Sequence, residues 1–125
     1  MFSHKIDKSQ GIIFTRVSGT PTTVTMMDHI QKVMNDPDFD PGYNSITVLE
    51  ENTRIPGVSK DKVETIRRVL DGCAKLRKGC TWAVVAPNER QEVFLKLNLE
   101  LINPAIFKIR IFRSGDEAIA WIKGR

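Results

Sequence analysis

Hydrophobic residues alternate with polar ones in some segments of this chain and recur every three or four positions in others. Two short β-prone runs, HKIDKS and GIIFTRVSG, are separated by Ser9, Gln10 and Gly11. Turn-forming residues between two such runs predict a hairpin, here over about residues 4–18. The apolar run SITVLE at residues 45–50 predicts a third strand.

Two further strands differ in their patterns. CTWAVVAP at residues 80–87 is apolar throughout, as expected of a strand that helices cover on both faces, so we place it at the centre of the sheet. IFKIRIF at residues 106–112 has Lys108 and Arg110 on one face and apolar residues on the other. Basic side chains on an edge strand discourage pairing with other chains, so this strand is expected near an edge.

Helical spacing predicts two helices in the first two thirds of the chain. The first runs from Thr22 to Asn35, and its apolar face is formed by Val24, Met27, Ile30, Val33 and Met34. The second begins after Ser59 and is amphipathic, with apolar residues on one side and charged residues on the other.

Two more helices are predicted nearer the C-terminus. The third runs from Asn88 to about Asn103, because Asn88 and Gln91 have the spacing of a capping box and Pro104 follows. A short terminal helix begins at Ser114, which is followed three residues later by a glutamate.

The order of these elements is ββαβαβαβα, which predicts an α/β fold with a five-stranded mixed β-sheet and four helices. Crossovers between consecutive parallel strands are expected to be right-handed. A chain of 125 residues with 41% hydrophobic and 27% charged residues is typical of one globular domain, here residues 1–125.

Charge and cysteine content narrow the classes of function. The net charge of +4 comes from 19 basic and 15 acidic residues that are interleaved, which favours anionic partners only mildly. Cys73 and Cys80 form no metal-binding pattern, and no secretory segment precedes them. No apolar run approaches the about 18 residues that span a bilayer. We therefore expect a cytoplasmic protein with reduced thiols, and neither metal nor cofactor.

The hairpin with its Gly19 turn, the strand and helix repeats and the ending IRIFRSGDEAIAWIKG resemble the STAS superfamily. The resemblance is to small bacterial SpoIIAA-like proteins related to anti-anti-sigma factors, and it spans essentially the whole chain. It implies a STAS fold and a non-enzymatic domain that binds partner proteins and, in some members, nucleotides or lipid-like ligands. It also implies a phosphorylatable serine at the start of the helix after the third strand. Ser59 in GVSKDK matches that serine by position, although the family's Asp-Ser-Ser-Gly-like segment is absent.

Largely parallel strands would gather the starts of the following helices along one edge of the sheet. Free N–H groups and partial positive charge at helix N-termini make such an edge a candidate phosphosite or anion site. The same residue types are the usual helix caps, so both interpretations stay open. The helix starts concerned are at Thr22 or Thr23, Ser59, Asn88 and Ser114, and Arg54 and Arg90 would add full positive charges there.

The third helix carries two apolar stripes, of which one is enough to pack on the sheet. The first consists of Val93, Phe94, Leu97 and Leu101. The second, Leu95, Leu99 and Ile102, needs another cover. It faces a neighbouring helix, forms a homodimer or protein-partner surface, or lines an apolar pocket.

Catalytic and metal-binding interpretations find little support. Glu50 and Glu51 are expected on opposite faces of a strand, where one of them pairs with Arg54. The segment DPDFDPG at residues 36–42 has the aspartate spacing of a calcium loop, but it lacks the required glycine and the final glutamate, so we expect a turn-rich loop.

The two histidines, His4 and His29, lie far apart in sequence and are expected to be solvated or to pack. Nucleic-acid binding through the basic residues of the last strand is not expected. The sequence thus predicts a non-catalytic binding or regulatory module that acts through protein contacts. The alternative is a carrier or sensor of a small apolar or anionic ligand.

Overall fold

The computed structural model describes residues 2–54, 61, 64, 65, 68, 72, 79–102 and 108–124, without the side chains of residues 97–102. Ser59 and most of the helix predicted after it lie outside these residues. The described strands and helices are β1 (Phe2–Asp7), β2 (Ile12–Val17), α1 (Thr23–Met34), β3 (Asn44–Leu49), β4 (Thr81–Val85), α2 (Glu89–Ile102), β5 (Lys108–Phe112) and α3 (Gly115–Lys123).

The five strands form one mixed sheet in the order β1-β2-β3-β4-β5. β1 pairs antiparallel with β2, and all the other neighbours are parallel. The α/β class, the mixed five-stranded sheet and the edge position of β5 are confirmed. The central strand is β3 and not β4 as expected, because both strands of the hairpin lie on the same side of β3.

The turn between β1 and β2 is organised by the carboxylate of Asp7. It accepts hydrogen bonds from the Ser9 hydroxyl at 2.6 Å and from the Gln10 side-chain amide at 2.6 Å. These bonds stabilise the ionised carboxyl and lower the pKa of Asp7 to about 2, and the bond from the Ser9 hydroxyl has the largest effect. Gly11 closes the turn with φ of 66°, in the left-handed region that glycine enters without steric cost.

The core extends over both faces of the sheet. Ala83 and Val84 of β4 point to opposite faces and are 0% and 3% exposed, so this strand is covered on both sides, as its unbroken apolar sequence predicts. One face packs beneath α3. The core on that face consists of Ile12, Ile46, Ala83, Val85, Ala118 and Ile122.

The side of α1 that faces the sheet differs from the apolar face predicted for this helix. Val24, Met27 and Met34 are exposed, with Val24 exposed by 75%. Val33 is buried and His29 is half-buried, and these two residues lie one turn apart on the same side of the helix. Because α1 packs against β1, the edge strand, it has only a narrow contact with the sheet, and part of its apolar surface stays in solvent.

Replacement of Ile46, which is 1% exposed, should show how strongly the α3 face stabilises the fold. Ile46→Ala removes buried methyl groups and leaves a cavity, so we expect a loss of about 2–5 kcal/mol in the free energy of unfolding. Equilibrium urea unfolding measures it. Val24→Ala is the control, with an expected change within about 0.5 kcal/mol. Equal losses in the two variants would contradict this assignment of the core.

Candidate functional site at the carboxyl edge of the sheet

Strands β2 to β5 are parallel, so their carboxyl ends lie along one edge of the sheet. α1, α2 and α3 begin within a few residues of the ends of β2, β4 and β5. The structure therefore brings three of the predicted helix starts to one edge, which we call the carboxyl edge. The start predicted at Ser59 lies outside the described residues.

The side chains at the described helix starts act as caps. Thr22 is the N-cap of α1 and accepts from the backbone N–H of Thr25, whereas Thr23 is the first helical residue. Ser114 caps α3 by accepting from the N–H of Glu117, and the Asn88 side-chain oxygen accepts from the N–H of Gln91 at 2.9 Å. These bonds satisfy N–H groups that an anion would otherwise bind.

Acidic residues also occupy the first turns that follow two of these caps. Glu89 and Glu92 lie in the first turn of α2, and Asp116 and Glu117 in that of α3. Carboxylates at these positions already interact with the positive ends of the helix dipoles. Arg54 and Arg90 are exposed near this edge. An anion or phosphate site at the carboxyl edge stays a prediction.

The side chain of Gln91, which is 5% exposed, joins α2 to the loop after β3. Its amide nitrogen lies 3.0 Å from the carbonyl oxygen of Glu50, 3.3 Å from that of Glu51 and 3.1 Å from that of Thr53. Two N–H groups are thus shared among three carbonyl groups. In the predicted capping box this side chain would turn back to its own helix, but it instead fixes the loop after β3.

The loop after β3 is also fixed to the loop after β2. The hydroxyl of Thr53, which is 1% exposed, donates to the Val17 carbonyl at 2.7 Å. The Arg54 N–H donates to the Gly19 carbonyl at 2.8 Å. Residues 50–54 are therefore held from two sides, by the start of α2 and by the end of β2.

An open depression lies beside this loop and is lined by Ser18, Glu50, Glu51 and Asn52. Both glutamates line it because β3 ends at Leu49, and the turn that follows abandons the alternation of side chains found in a strand. Because both glutamates follow the strand, the expectation that they face opposite sides of it does not apply. Glu50 pairs with the Arg16 guanidinium at 2.7 Å, not with Arg54. The depression presents carboxylate, hydroxyl and amide groups.

The surface of α2 also differs from the two predicted stripes. Val93 is 51% exposed, so the position that points inward on this turn is the polar Gln91. Leu95 is half-buried, and the side chains of Leu99 and Ile102 lie outside the described residues. Glu92 fixes the helix to the end of β5 through Arg113 at 2.8 Å. The hydrogen bond from Arg113, more than that from Lys96, lowers the pKa of Glu92.

A second polar cluster, which the sequence analysis did not predict, lies between α1 and the hairpin. The rings of His4 and His29 meet edge to face with 5.8 Å between their centroids. Phe2 stacks on His29 at 4.8 Å, and the Thr15 hydroxyl is 3.2 Å from Nε2 of His29. Nε2 of His4 is 2.8 Å from the Asp36 carboxylate. The sequence could have indicated this cluster, because His4 lies on the same face of β1 as Phe2 and His29 lies on the same side of α1 as Val33.

Burial, and to a lesser extent the neighbouring His4, lower the pKa of His29 to about 4. Asp36 also accepts from the backbone N–H of Asp38 at 2.9 Å. This bond and the bond with His4 lower the pKa of Asp36. At position 29, burial therefore favours the neutral form of the histidine.

Other groups that could carry chemistry have structural contacts. The side chain of Asp40 accepts from the N–H of Gly42 at 2.8 Å, which makes the aspartate-rich segment a series of turns. Cys80 is a free, buried thiol that donates to the Pro41 carbonyl, and Cys73 lies outside the described residues. Within the described ranges, no group of three His, Cys, Asp or Glu side chains is placed to hold a metal ion.

Comparison of the chain with protein-family models, with curated proteins and with solved structures finds no significant match. Among the described residues, no helix is long and apolar enough to cross a membrane.

Thr53→Val tests the tie between the loops after β2 and β3. The change keeps the shape of the side chain and removes the donor to Val17. Because the Glu50 N–H also donates to that carbonyl at 2.9 Å, we expect a loss of about 1 kcal/mol in the free energy of unfolding. Urea unfolding measures it. Thr20, which is exposed, provides the control. An equal loss of stability in Thr20→Val would show that the hydrogen bond from Thr53 to Val17 contributes little.

Proposed function

We propose that this chain is a non-catalytic binding or regulatory module of the SpoIIAA-like STAS type, acting through protein–protein contacts at its carboxyl edge. The observation that carries the proposal is the set of hydrogen bonds that fixes the loop at residues 50–54. Gln91 and Thr53 hold its backbone, while Glu51 and Asn52 remain exposed. A surface that is ordered before a partner arrives loses less conformational entropy on binding.

The polar groups at this edge support binding over catalysis. Thr22, Asn88 and Ser114 bond to N–H groups of their own helices, and Gln91 and Thr53 bond to backbone carbonyls. A catalytic acid, base or nucleophile must instead reach the reacting atoms of a substrate. Side chains that are already hydrogen-bonded to the backbone in this way are poorly placed to reach a substrate.

The charge of the depression indicates the kind of partner. Glu50 and Glu51 line it, and among the described ion pairs Arg16 is paired with Glu50. We infer a partner protein that presents a lysine or arginine, because opposite charges across an interface increase the association rate and select the partner. The same carboxylates disfavour an anionic ligand in the depression, so a carrier of such a ligand is the weaker alternative.

Charge reversal at the depression tests this function. Tagged wild-type protein, Glu51→Lys and Asp38→Lys are used to capture partners from extracts of the source cells, with quantification by mass spectrometry. Both variants change the net charge equally, but Asp38 pairs with Lys8 beside the hairpin turn, at the opposite edge. We expect Glu51→Lys to reduce capture of a defined partner at least about tenfold, which corresponds to about 1.4 kcal/mol.

Asp38→Lys should capture the same partner as the wild type. Equal capture by Glu51→Lys would overturn the assignment of the binding edge. Native mass spectrometry of the purified protein completes the test, since a retained small molecule would favour the carrier.

A further inference from the structure

The two histidines lie at the contact between α1 and the sheet. His29 projects from the side of α1 that faces the hairpin, and its ring is in contact with Phe2 and His4 of β1. The hydroxyl of Thr15, 9% exposed, bonds to Nε2 of the same ring. α1 thus contacts the sheet mainly at β1, with the bond to Thr15 of β2 as a further contact. A change in the charge of His29 therefore acts on the attachment of this helix.

Among the described residues, the two carboxylates near His29 already have partners, and Asp28 raises the pKa of His29 less than burial and His4 lower it. Asp28 of α1 is paired with Lys32 at 3.1 Å, and Asp36 after the helix is bonded to His4 at 2.8 Å. Acidification would thus place a charge on His29 beside the ring of His4. On this face of β1 and β2 the described residues that flank His4 are Phe2, Ile6, Ile13, Thr15 and Val17.

Apolar packing attaches α1 less firmly than α3. Val33 is the buried residue of α1, whereas Ala118 and Ile122 of α3 are both buried and Trp121 contacts Phe112 with 5.5 Å between ring centroids. Helices with few buried apolar contacts open at lower free energy than the rest of a fold. Loss of the histidine contacts should release α1 before α3.

We propose that the pair of His4 and His29 makes the attachment of α1 to the hairpin sensitive to protonation, so that mild acid releases this helix while α3 stays packed. The direction follows from linkage. The pKa of His29 falls from 6.5 to about 4 when the helix is attached, so the detached helix binds the proton more tightly. The stabilisation is complete above pH 6.5 and is lost as the pH falls toward 4.

Hydrogen exchange of backbone amides in the full chain tests this proposal. Exchange is measured by NMR at pH 7.5 and pH 5.0 and corrected for the intrinsic pH dependence. We expect the protection of α1 amides to fall by about tenfold relative to α3 amides. His29→Gln keeps a side chain that can bond to Thr15 but cannot titrate, and it should abolish most of this difference.

An equal response of α1 and α3 would overturn the proposal, as would an unchanged pH response in His29→Gln. If that variant fails to fold, the ring resonances of His29 in the wild type decide. A titration midpoint well below 6.5, with α1 protection already falling between pH 6.5 and that midpoint, supports the proposal, and a midpoint near 6.5 contradicts it.

Discussion

Parallel strands that end side by side leave backbone carbonyls at their ends, and those buried from water need hydrogen-bond donors. In this protein the Gln91 amide and the Thr53 hydroxyl provide donors to carbonyls at residues 17, 50, 51 and 53. A buried carbonyl without a partner costs about 1–3 kcal/mol. The loops at the carboxyl edge can therefore pack together only when these carbonyls have donors. The same hydrogen bonds join β2, β3 and the start of α2.

The strands were predictable because their signals are local. Uninterrupted apolar residues around Ala83 indicate a strand that is covered on both faces, and turn residues near Gly11 indicate a hairpin. The caps at Thr22 and Ser114 were predictable for the same reason, since a cap bonds to its own helix.

The features that sequence reasoning missed depend on residues far apart in the chain. Which side of α1 meets the sheet is decided by where the helix crosses β1, so Val24 is exposed although it fits an apolar stripe. The spacing of Gln91 from Asn88 predicts a capping box, but in the folded chain the Gln91 side chain bonds to the carbonyls of residues 50, 51 and 53. His4 and His29 are 25 positions apart, and no local pattern connects them. Tertiary contacts outweigh local preference at each of these places.

The carboxyl edge, where we propose that a partner binds, and the histidine pair share one element, α1. α1 begins at the carboxyl edge with its cap at Thr22, and His29 follows seven residues later, about 10 Å along the helix axis. Between them the helix has a continuous ladder of backbone hydrogen bonds, so a displacement at His29 moves the helix start as well. The N–H groups capped by Thr22 lie beside the loop that follows β2, which contributes Ser18 to the depression. Protonation of His29 and the proposed binding at the edge are therefore expected to be coupled, each altering the other by the same free energy.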